Sequence, residues 1–246
     1  MADLANGATI EGEDLSAADF TDRDLADLQL AGCTIRDAQL QGVILQGARL
    51  KGCRLVRCRF AHADLRDAVF EDCAFADDEG HVGVQFAFSR LEEARFARCD
   101  LSFAKVERSG LYGVEMEACN LRGAVFLKAD FARAFGRSVV RWAAAFRDCN
   151  LELADLAEAR LPGCELAGSN LREAVLIDAD LEGADLRGCD LFQALTAGAK
   201  LAGADLRGAE VSGLDLLALG SLAGLKIAAD QQHRLLTAVG LDVHPE

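Results

Sequence analysis

Residues 176–191 read LIDADLEGADLRGCDL, and this stretch contains the pattern that decides the fold. Leucine returns every fifth residue, and Ala179, Ala184 and Cys189 each stand two places before a leucine. The positions between them are mostly Asp, Glu, Arg and Gly. A helix with about 3.6 residues per turn, or a straight strand with two-residue alternation, would not bury every leucine of a five-residue repeat.

The same rhythm runs through most of the chain. A large apolar residue, here called the centre, recurs every fifth position over residues 10–75, 86–131 and 146–216, except that Thr196 occupies one of these places. The position two before the centre is Ala, Cys, Ser or Val, except at Glu13, Arg23, Leu28 and Leu214. These exceptions lie near the ends, where the capping repeats of a solenoid are expected to be atypical.

A chain that turns a corner once per repeat resolves the geometric conflict. Residues two apart in an extended segment point the same way, so the centre and the small residue both face inward. The other three positions face outward, which agrees with their polarity. We therefore expect an all-β solenoid whose successive coils are spaced like neighbouring strands, about 4.8 Å apart.

Charge and composition exclude several classes of protein. The 246 residues carry a net charge of −14, so direct binding to nucleic acid is disfavoured and attraction to basic surfaces is expected. Residues 150–246 account for −9 of this charge and residues 1–149 for −5. No apolar run is long enough for a transmembrane helix, and the acidic N-terminal stretch lacks a signal-peptide core. We expect a cytoplasmic protein that does not contact a membrane.

Cysteine and histidine give no sign of a catalytic or metal site. All nine cysteines occupy the small inward position and none shows CxxC spacing, which indicates core packing in a reducing compartment. The four histidines lack metal-ligand or nucleophile–base spacing, and no phosphate loop occurs. Asp residues one place before the centre are interpreted as solvated or turn-binding. We expect a protein that is not an enzyme and needs no cofactor.

Two insertions interrupt the rhythm, and both are candidate partner-binding loops because solenoid insertions project from one face. Relative to neighbouring centres, the first has six extra residues and the second ten. The first loop, about residues 76–85, contributes Asp77, Asp78, Glu79 and His81. The second, about residues 132–145, contributes Phe135, Arg137, Val139, Val140, Arg141 and Trp142, which is the only tryptophan. A tolerated surface insertion is the alternative interpretation of each.

The rhythm ends after Leu216, which divides the chain into a β-helix over residues 1–224 and a C-terminal segment over 225–246. Asp230 predicts the N-cap or the first turn of a short helix reaching about Val239, and Gly240 suits a C-terminal cap. A helix this short must cover the open end of the rod, dock on a second copy, or do both. The predicted dimer-interface residues are Leu225, Ile227, Leu235, Leu236, Val239, Leu241 and Val243.

The sequence resembles the pentapeptide-repeat family, whose consensus is Ala-Asp/Asn-Leu-x-x. ADL occurs at 63–65, 154–156, 179–181, 184–186 and 204–206, and CNL at 119–121 and 149–151. This resemblance implies a right-handed quadrilateral β-helix with four repeats per coil, followed here by a short C-terminal α-helix.

The two unequal loops and the closing segment, which begins LKI at Leu225, look like the quinolone-resistance branch of the family. The resemblance implies a DNA-mimicking rod that dimerises through its C-terminal segment. It also implies binding to a type II topoisomerase, DNA gyrase or topoisomerase IV, and protection from quinolones or a natural poison. Acquired resistance and self-immunity both remain open. In such proteins the larger loop matters most, which here corresponds to residues 135–142. The alternative is a pentapeptide scaffold for an unrelated protein partner.

Overall fold

The computed structural model describes residues 4–77, 81–135, 139–242 and 244. Most of its strands are three or four residues long, and a single short α-helix follows them near the C-terminus. The strands are β1 (Thr9–Glu11), β2 (Gln29–Ala31), β3 (Thr34–Arg36), β4 (Gln39–Gln41), β5 (Arg49–Lys51), β6 (Arg54–Val56), β7 (Arg59–Ala61), β8 (Val69–Glu71), β9 (Gln85–Ala87), β10 (Arg95–Ala97), β11 (Lys105–Glu107), β12 (Val114–Glu117), β13 (Val125–Leu127), β14 (Ala132–Phe135), β15 (Val139–Trp142) and β16 (Ala144–Arg147).

The chain winds into a four-sided coil whose sides we number in the order the chain visits them. Side 1 holds a seven-stranded parallel sheet in the order β1-β2-β5-β8-β10-β12-β16, and side 3 holds a five-stranded sheet in the order β13-β11-β9-β7-β4. Side 2 contains the pair β3-β6 and isolated bridges such as Asn150–Asn170. Side 4 is built from isolated bridges such as Asp24–Ile44. The predicted fold class is therefore confirmed.

The sequence separation between paired residues on neighbouring coils gives the length of each insertion. Residues on neighbouring coils are normally 20 apart, as for Arg57 and Asp37. The separation is 26 between Arg98 and Asp72, across the first loop, and 30 between Asn150 and Asn120, across the second. The insertions thus have the lengths expected from the sequence. The first leaves the rod between sides 2 and 3, and the second between sides 4 and 1.

The corners explain the outward glycines and aspartates. At one corner the N–H of Ala48 donates to the carbonyl of Leu45 at 3.0 Å, and Gly47 between them has a φ of +69°. This is a turn that needs positive φ at its third position, which glycine adopts most readily and Asp tolerates. Asp14, one place before a centre, accepts a hydrogen bond from the N–H of Ser16 at 3.0 Å. The interpretation of these Asp residues as turn-binding is confirmed.

The interior is one continuous apolar column. Leu181, Leu186 and Leu191 are at most 2% exposed and belong to the same core cluster. Farther towards the N-terminus phenylalanines replace leucines, and the rings of Phe70 and Phe96 stack with centroids 4.7 Å apart. Every corner therefore serves the same purpose, which is to turn the next large side chain into the shared core.

Both ends of the coil are closed by side chains. At the N-terminal end Leu4 is buried and its carbonyl accepts a hydrogen bond from the guanidinium of Arg23. At the C-terminal end a 3-10 turn (Ala229–Gln231) leads into α1 (Gln232–Ala238). The Gln231 amide donates at 2.7 Å to two backbone carbonyls of the preceding coil, and Leu235 is buried. The helix ends at Ala238 with Val239 as its C-cap, and Gly240 has a φ of +83°, close to the boundary that the sequence predicts.

Candidate partner-binding surfaces

The described residues contain no candidate metal centre, and their cysteines pack in the core. No group of three or more His, Cys, Asp or Glu among the described residues could hold a metal ion. All nine cysteines are buried and unpaired by disulfides. Burial raises the pKa of the Cys58 thiol to about 11 and that of Cys189 to about 12, so these thiols are poor nucleophiles at neutral pH. No helix of the described residues is long and apolar enough to cross a membrane.

The first loop is fastened to the rod at both of its described ends. The Asp77 carboxylate pairs with Arg57, which also forms two hydrogen bonds to Asp37, of 2.6 and 2.8 Å. The Asp77 N–H donates to the carbonyl of Val82 at 2.9 Å, which closes the base of the loop. Asp77 is therefore an anchor of the loop. Asp78 and Glu79, predicted beside it as partner-binding residues, lie outside the described residues.

A close backbone approach fixes the returning limb of this loop. Gly83 is buried, and a Cβ at this position would lie 2.3 to 2.4 Å from backbone atoms of Phe103 and Ala104. The His81 ring contacts Phe103, with centroids 5.1 Å apart, and Val82 is 41% exposed. The loop thus presents His81 and Val82 to solvent from a rigid base.

The second loop forms an antiparallel hairpin from β14 and β15. Its pairing runs from Ala132 opposite Trp142 to Phe135 opposite Val139. Val140 is 48% exposed and Arg141 is also exposed. Arg137 lies outside the described residues, as do the side chains of Phe135 and Val139. An antiparallel ribbon on a parallel solenoid is a distinct element, and sequence reasoning did not predict its strands.

Trp142 lies at the base of the hairpin. It is half-buried and packs against the rod core. Next to it the guanidinium of Arg133 lies over the ring of Tyr112 at 5.6 Å and 3.8 Å from the carboxylate of Glu93. A groove of about 280 Å³ opens beneath the hairpin, and its lining includes Trp142, Tyr112 and the carboxylates of Glu93, Glu115 and Glu165. Sequence reasoning missed the supporting roles of Arg133 and Tyr112, because these residues become neighbours only when the coils stack.

The acidic residues of the C-terminal half form columns. Glu165, Asp185 and Asp205 succeed one another on side 1 through β-bridges. Ion pairs offset part of this charge, since Arg187 and Arg207 lie 2.6 Å from Asp185 and Asp205. These pairs hold the pKa of both carboxyls below the ordinary range, to about 2 for Asp205. Asp185 and Asp205 therefore stay ionised across the physiological pH range.

The C-terminal segment leaves an apolar groove of about 550 Å³ open to solvent. Leu216, Leu222, Leu225, Ile227, Leu235 and Leu236 contribute its apolar lining. Leu235 is 3% exposed and closes the rod, whereas Ile227 and Leu241 are 38% and 53% exposed. Leu225, Leu236 and Val239 are half-buried, and Val243 lies outside the described residues. The predicted interface residues thus divide into those that cap the coil and those that remain available.

Known quinolone-resistance proteins are similar to this chain in sequence and in structure. The quinolone resistance pentapeptide repeat protein QnrB96 of Scandinavium goeteborgense is 32% identical over 92 residues, which cover 37% of this chain and 43% of that protein. The match thus spans less than half the length of this relative. The full-length structure of QnrB1, a plasmid-mediated fluoroquinolone resistance protein, has a TM-score of 0.75 at 28% identity, covering 85% of this chain and 100% of QnrB1. A trypsin-treated QnrB1 variant has the same TM-score at 26% identity and covers 98% of this chain.

The repeats themselves match a known family. The profile described as pentapeptide repeats matches eight copies here, over residues 14–52, 53–77, 149–188 and 184–216. These segments cover more than half of the chain and lie on both sides of the two loops. With four inward-turned repeats in each coil, the chain belongs to the pentapeptide-repeat family.

Proposed function

We propose that this protein binds a type II topoisomerase, DNA gyrase or topoisomerase IV, and protects it from quinolones or from a natural topoisomerase poison. The observation that carries this proposal is the likeness to QnrB1 along that protein's entire length, at a TM-score of 0.75. The QnrB96 match supports the same branch by sequence.

The hairpin is the part of the rod that we assign to partner recognition. It carries exposed Val140 and Arg141 on a base fixed by Trp142 and Arg133. Apolar and cationic side chains on an acidic rod favour a specific contact, because solubility alone would select neither. The first loop provides a second contact through His81 and Val82, on the diagonally opposite corner.

The acidic rod supplies a long-range attraction to the topoisomerase. Carboxylates on one side of the rod repeat once per coil, about 4.8 Å apart, which is coarser than the roughly 3.4 Å phosphate spacing along one DNA strand. Ion pairs with Arg147, Arg187 and Arg207 offset the charge of the side 1 column, so the attraction to the basic DNA-binding channel of the enzyme would come from the net charge of the whole rod. Imitation of duplex DNA in this sense accounts for a net charge of −14 and disfavours direct binding to DNA.

A dimer formed through the C-terminal groove completes the proposed assembly. The exposed side chains of Leu222 and Ile227 line this apolar groove, and a two-fold contact would bury them against their own copies. We assign exposed Leu241, which follows the helix, to the same interface. The more acidic C-terminal halves would then meet at the centre of a longer rod. The protein would act in the cytoplasm, where type II topoisomerases work, and would make or break no covalent bond.

The proposal is tested by gyrase supercoiling in the presence of a quinolone, with the protein titrated into the assay. We expect supercoiling to recover as the protein is added. Deleting residues 136–141 should abolish the recovery while the β-helix circular-dichroism spectrum is kept. For a finer comparison, Arg141→Ala should weaken protection, whereas Arg49→Ala, on side 1 four coil steps from the hairpin, should not.

Failure to recover supercoiling, without inhibition at any concentration, would favour a scaffold for an unrelated protein partner. Recovery that survives the hairpin deletion would instead show that the recognition element is wrongly assigned. The dimer is tested separately by sedimentation equilibrium of Ile227→Glu, which should be monomeric at concentrations where the native chain is dimeric. A native chain that sediments as a monomer throughout would contradict the proposed interface.

A further inference from the structure

Side 3 carries a set of basic residues that we call the cationic strip: Arg59, Lys105, Arg108 and Lys128. Arg59 and Lys105 belong to β7 and β11 in the same sheet, where both are joined to β9. Arg108 and Lys128 have positive φ at the adjoining corner. All four side chains are exposed. Since neighbouring coils lie about 4.8 Å apart, the strip extends roughly 14 Å along the rod.

These cations are grouped on one face and lack carboxylate partners, whereas other described basic residues without an ion pair, such as Arg49 and Arg160, lie singly on other sides. Many of the remaining arginines pair closely, as Arg98 does with Asp72 at 2.7 Å and Arg172 with Asp190 at 2.9 Å. Among the residues that the structure describes, no carboxylate lies within ion-pair distance of any member of the cationic strip. Four exposed cations without partners on a strongly acidic protein point to a ligand rather than to surface stability.

An aromatic ring extends the cationic strip at the same corner. Phe88 is 44% exposed, and the ring of His62 stacks on it with centroids 5.3 Å apart. The Arg108 guanidinium, from the next coil, lies over the Phe88 ring at 5.7 Å from its centroid. This contact fixes the Arg108 side chain and leaves its outer N–H groups available to an acidic partner.

Farther along side 3 the surface becomes apolar. We call Val125, Leu127, Val175, Ile177 and Leu195 the aliphatic strip. Val125, Asp155, Val175 and Leu195 form one column of bridged residues, so a single carboxylate lies within the strip. Leu127 and Leu195 are each 53% exposed, and Ile177 is 37% exposed. Exposed large apolar side chains repeating along one face mark an interaction surface.

Acidic residues border the aliphatic strip. Glu158 and Asp178 lie at the corner between sides 3 and 4, and Glu173 lies at the corner between sides 2 and 3. All three are exposed. The charge of side 3 therefore changes sign along the rod, from unpaired cations to an apolar surface with acidic margins.

We propose that side 3 binds a charge-segregated amphipathic helix of a protein partner. One half of this helix is acidic and lies on the cationic strip. The other half carries an aliphatic stripe with Lys or Arg on its flanks, and it lies on the aliphatic strip between the acidic margins. This surface is separate from the hairpin and from the C-terminal groove, and the inference does not depend on the topoisomerase proposal.

The dimensions favour a helix over an extended strand. From Arg59 to Leu195 side 3 spans six coil steps, or roughly 29 Å, which about 19 helical residues would cover. Successive turns of a helix lie about 5.4 Å apart, near the coil spacing, so one side chain per turn can meet one coil. Same-face residues of a strand lie about 6.7 Å apart and would fall out of step with the coils.

The test uses a fluorescein-labelled synthetic peptide of 20 residues, with Glu in one half and a Leu stripe flanked by Lys in the other. Its control has the same composition with Glu and Lys exchanged. Anisotropy is measured at about 0.15 M salt, where a Debye length of about 8 Å lets local charges outweigh the net charge of the rod. We expect saturable binding of the first peptide only, weakening as salt is raised.

Matched variants assign the binding to side 3. Arg59→Glu together with Lys105→Glu should weaken binding roughly tenfold or more. Arg49→Glu should leave it unchanged, because Arg49 is an exposed residue of the same coil on the opposite side. Ile177→Ser should also weaken binding, and it should reduce the part of the binding that persists as salt is raised. Circular dichroism confirms that each variant keeps the coil.

Several results would overturn the proposal. Equal binding of the two peptides would show that side 3 does not distinguish the order of charges along the helix. If Arg49→Glu weakened binding as much as the double variant of Arg59 and Lys105, binding would not be specific to side 3. Absence of saturable binding would show that side 3 does not bind an amphipathic helix of this kind. Vesicles with anionic lipids and a single-stranded oligonucleotide serve as further probes, and tighter binding of either through Arg59 and Lys105 would assign the surface to that class of ligand instead.

Discussion

Two leucines nine residues apart allow a direct test of the five-residue architecture. Leu186 is a centre with no exposed surface, whereas Leu195 stands one place before a centre and is 53% exposed. Replacing either by alanine removes the same atoms, equivalent to about three methylene groups. For Leu186 the lost transfer free energy is about 2.4 kcal/mol, at about 0.8 kcal/mol per group. The cavity left in a rigid core raises the total to about 3–4 kcal/mol.

The same substitution at the surface should cost much less. Leu195 loses roughly half of the transfer free energy and leaves no cavity, so Leu195→Ala should cost about 1 kcal/mol or less. For a chain of this size 1 kcal/mol corresponds to about 2–4 °C in Tm. The two variants should therefore differ by roughly 5–10 °C, with Leu186→Ala melting earlier.

Thermal unfolding followed by β-sheet circular dichroism, and denaturant titration of the same samples, would measure the difference. Both variants replace leucine by alanine in the same protein, so the comparison contains no difference in residue type. Because stacked repeats can unfold in parts, both probes should be checked for coincident transitions before free energies are extracted. Equal losses at the two positions, or a larger loss for Leu195→Ala, would refute the inward-turning pattern.

Two further predictions concern the first loop and the acidic surface. Gly83→Ala should destabilise the protein by about 1–3 kcal/mol, since its Cβ would overlap backbone atoms of Phe103; Gly32→Asn, at an open corner with a φ of +60°, should melt close to the native protein. The lowered pKa of Asp205, caused first by its hydrogen bond from Arg207, means that the unfolded chain binds more protons in acid. That contribution to stability is present above about pH 4 and is lost as pH falls towards 2. Asp205→Asn should therefore reduce the steepness of the acid limb in denaturant midpoints measured from pH 7 to pH 2, and an unchanged slope would contradict the assignment.

The core was predictable because nearly every repeat places a large apolar residue at the same position. Leu181, Leu186 and Leu191 face inward in the structure as their spacing requires, and the aspartate and glycine positions fall at corners. The insertion lengths also follow from the slip in the rhythm. Local repetition is strong evidence here, since each five-residue unit has only one arrangement that buries its large side chain.

The roles of individual loop and terminal residues were less predictable. The sequence marks Asp77 as an acidic loop residue, but the structure pairs it with Arg57 from the preceding coil. Trp142 stands out by its rarity and yet supports the hairpin from beneath. Leu235 belongs to an apolar stripe, but it closes the rod. In each case the deciding neighbour is distant in sequence and near only after stacking.

The sequence by itself determined the inward and outward positions, the corners, the insertions and the closing helix. These features depend on the polarity and backbone preferences of adjacent residues, which a single repeat already contains. The tertiary structure decided which outward residues meet, because stacking brings positions 20, 26 or 30 residues apart into columns. Only that stacking aligns Arg59 with Lys105 and places Val175 beside Leu195, and so creates surfaces that no linear stretch of this chain displays.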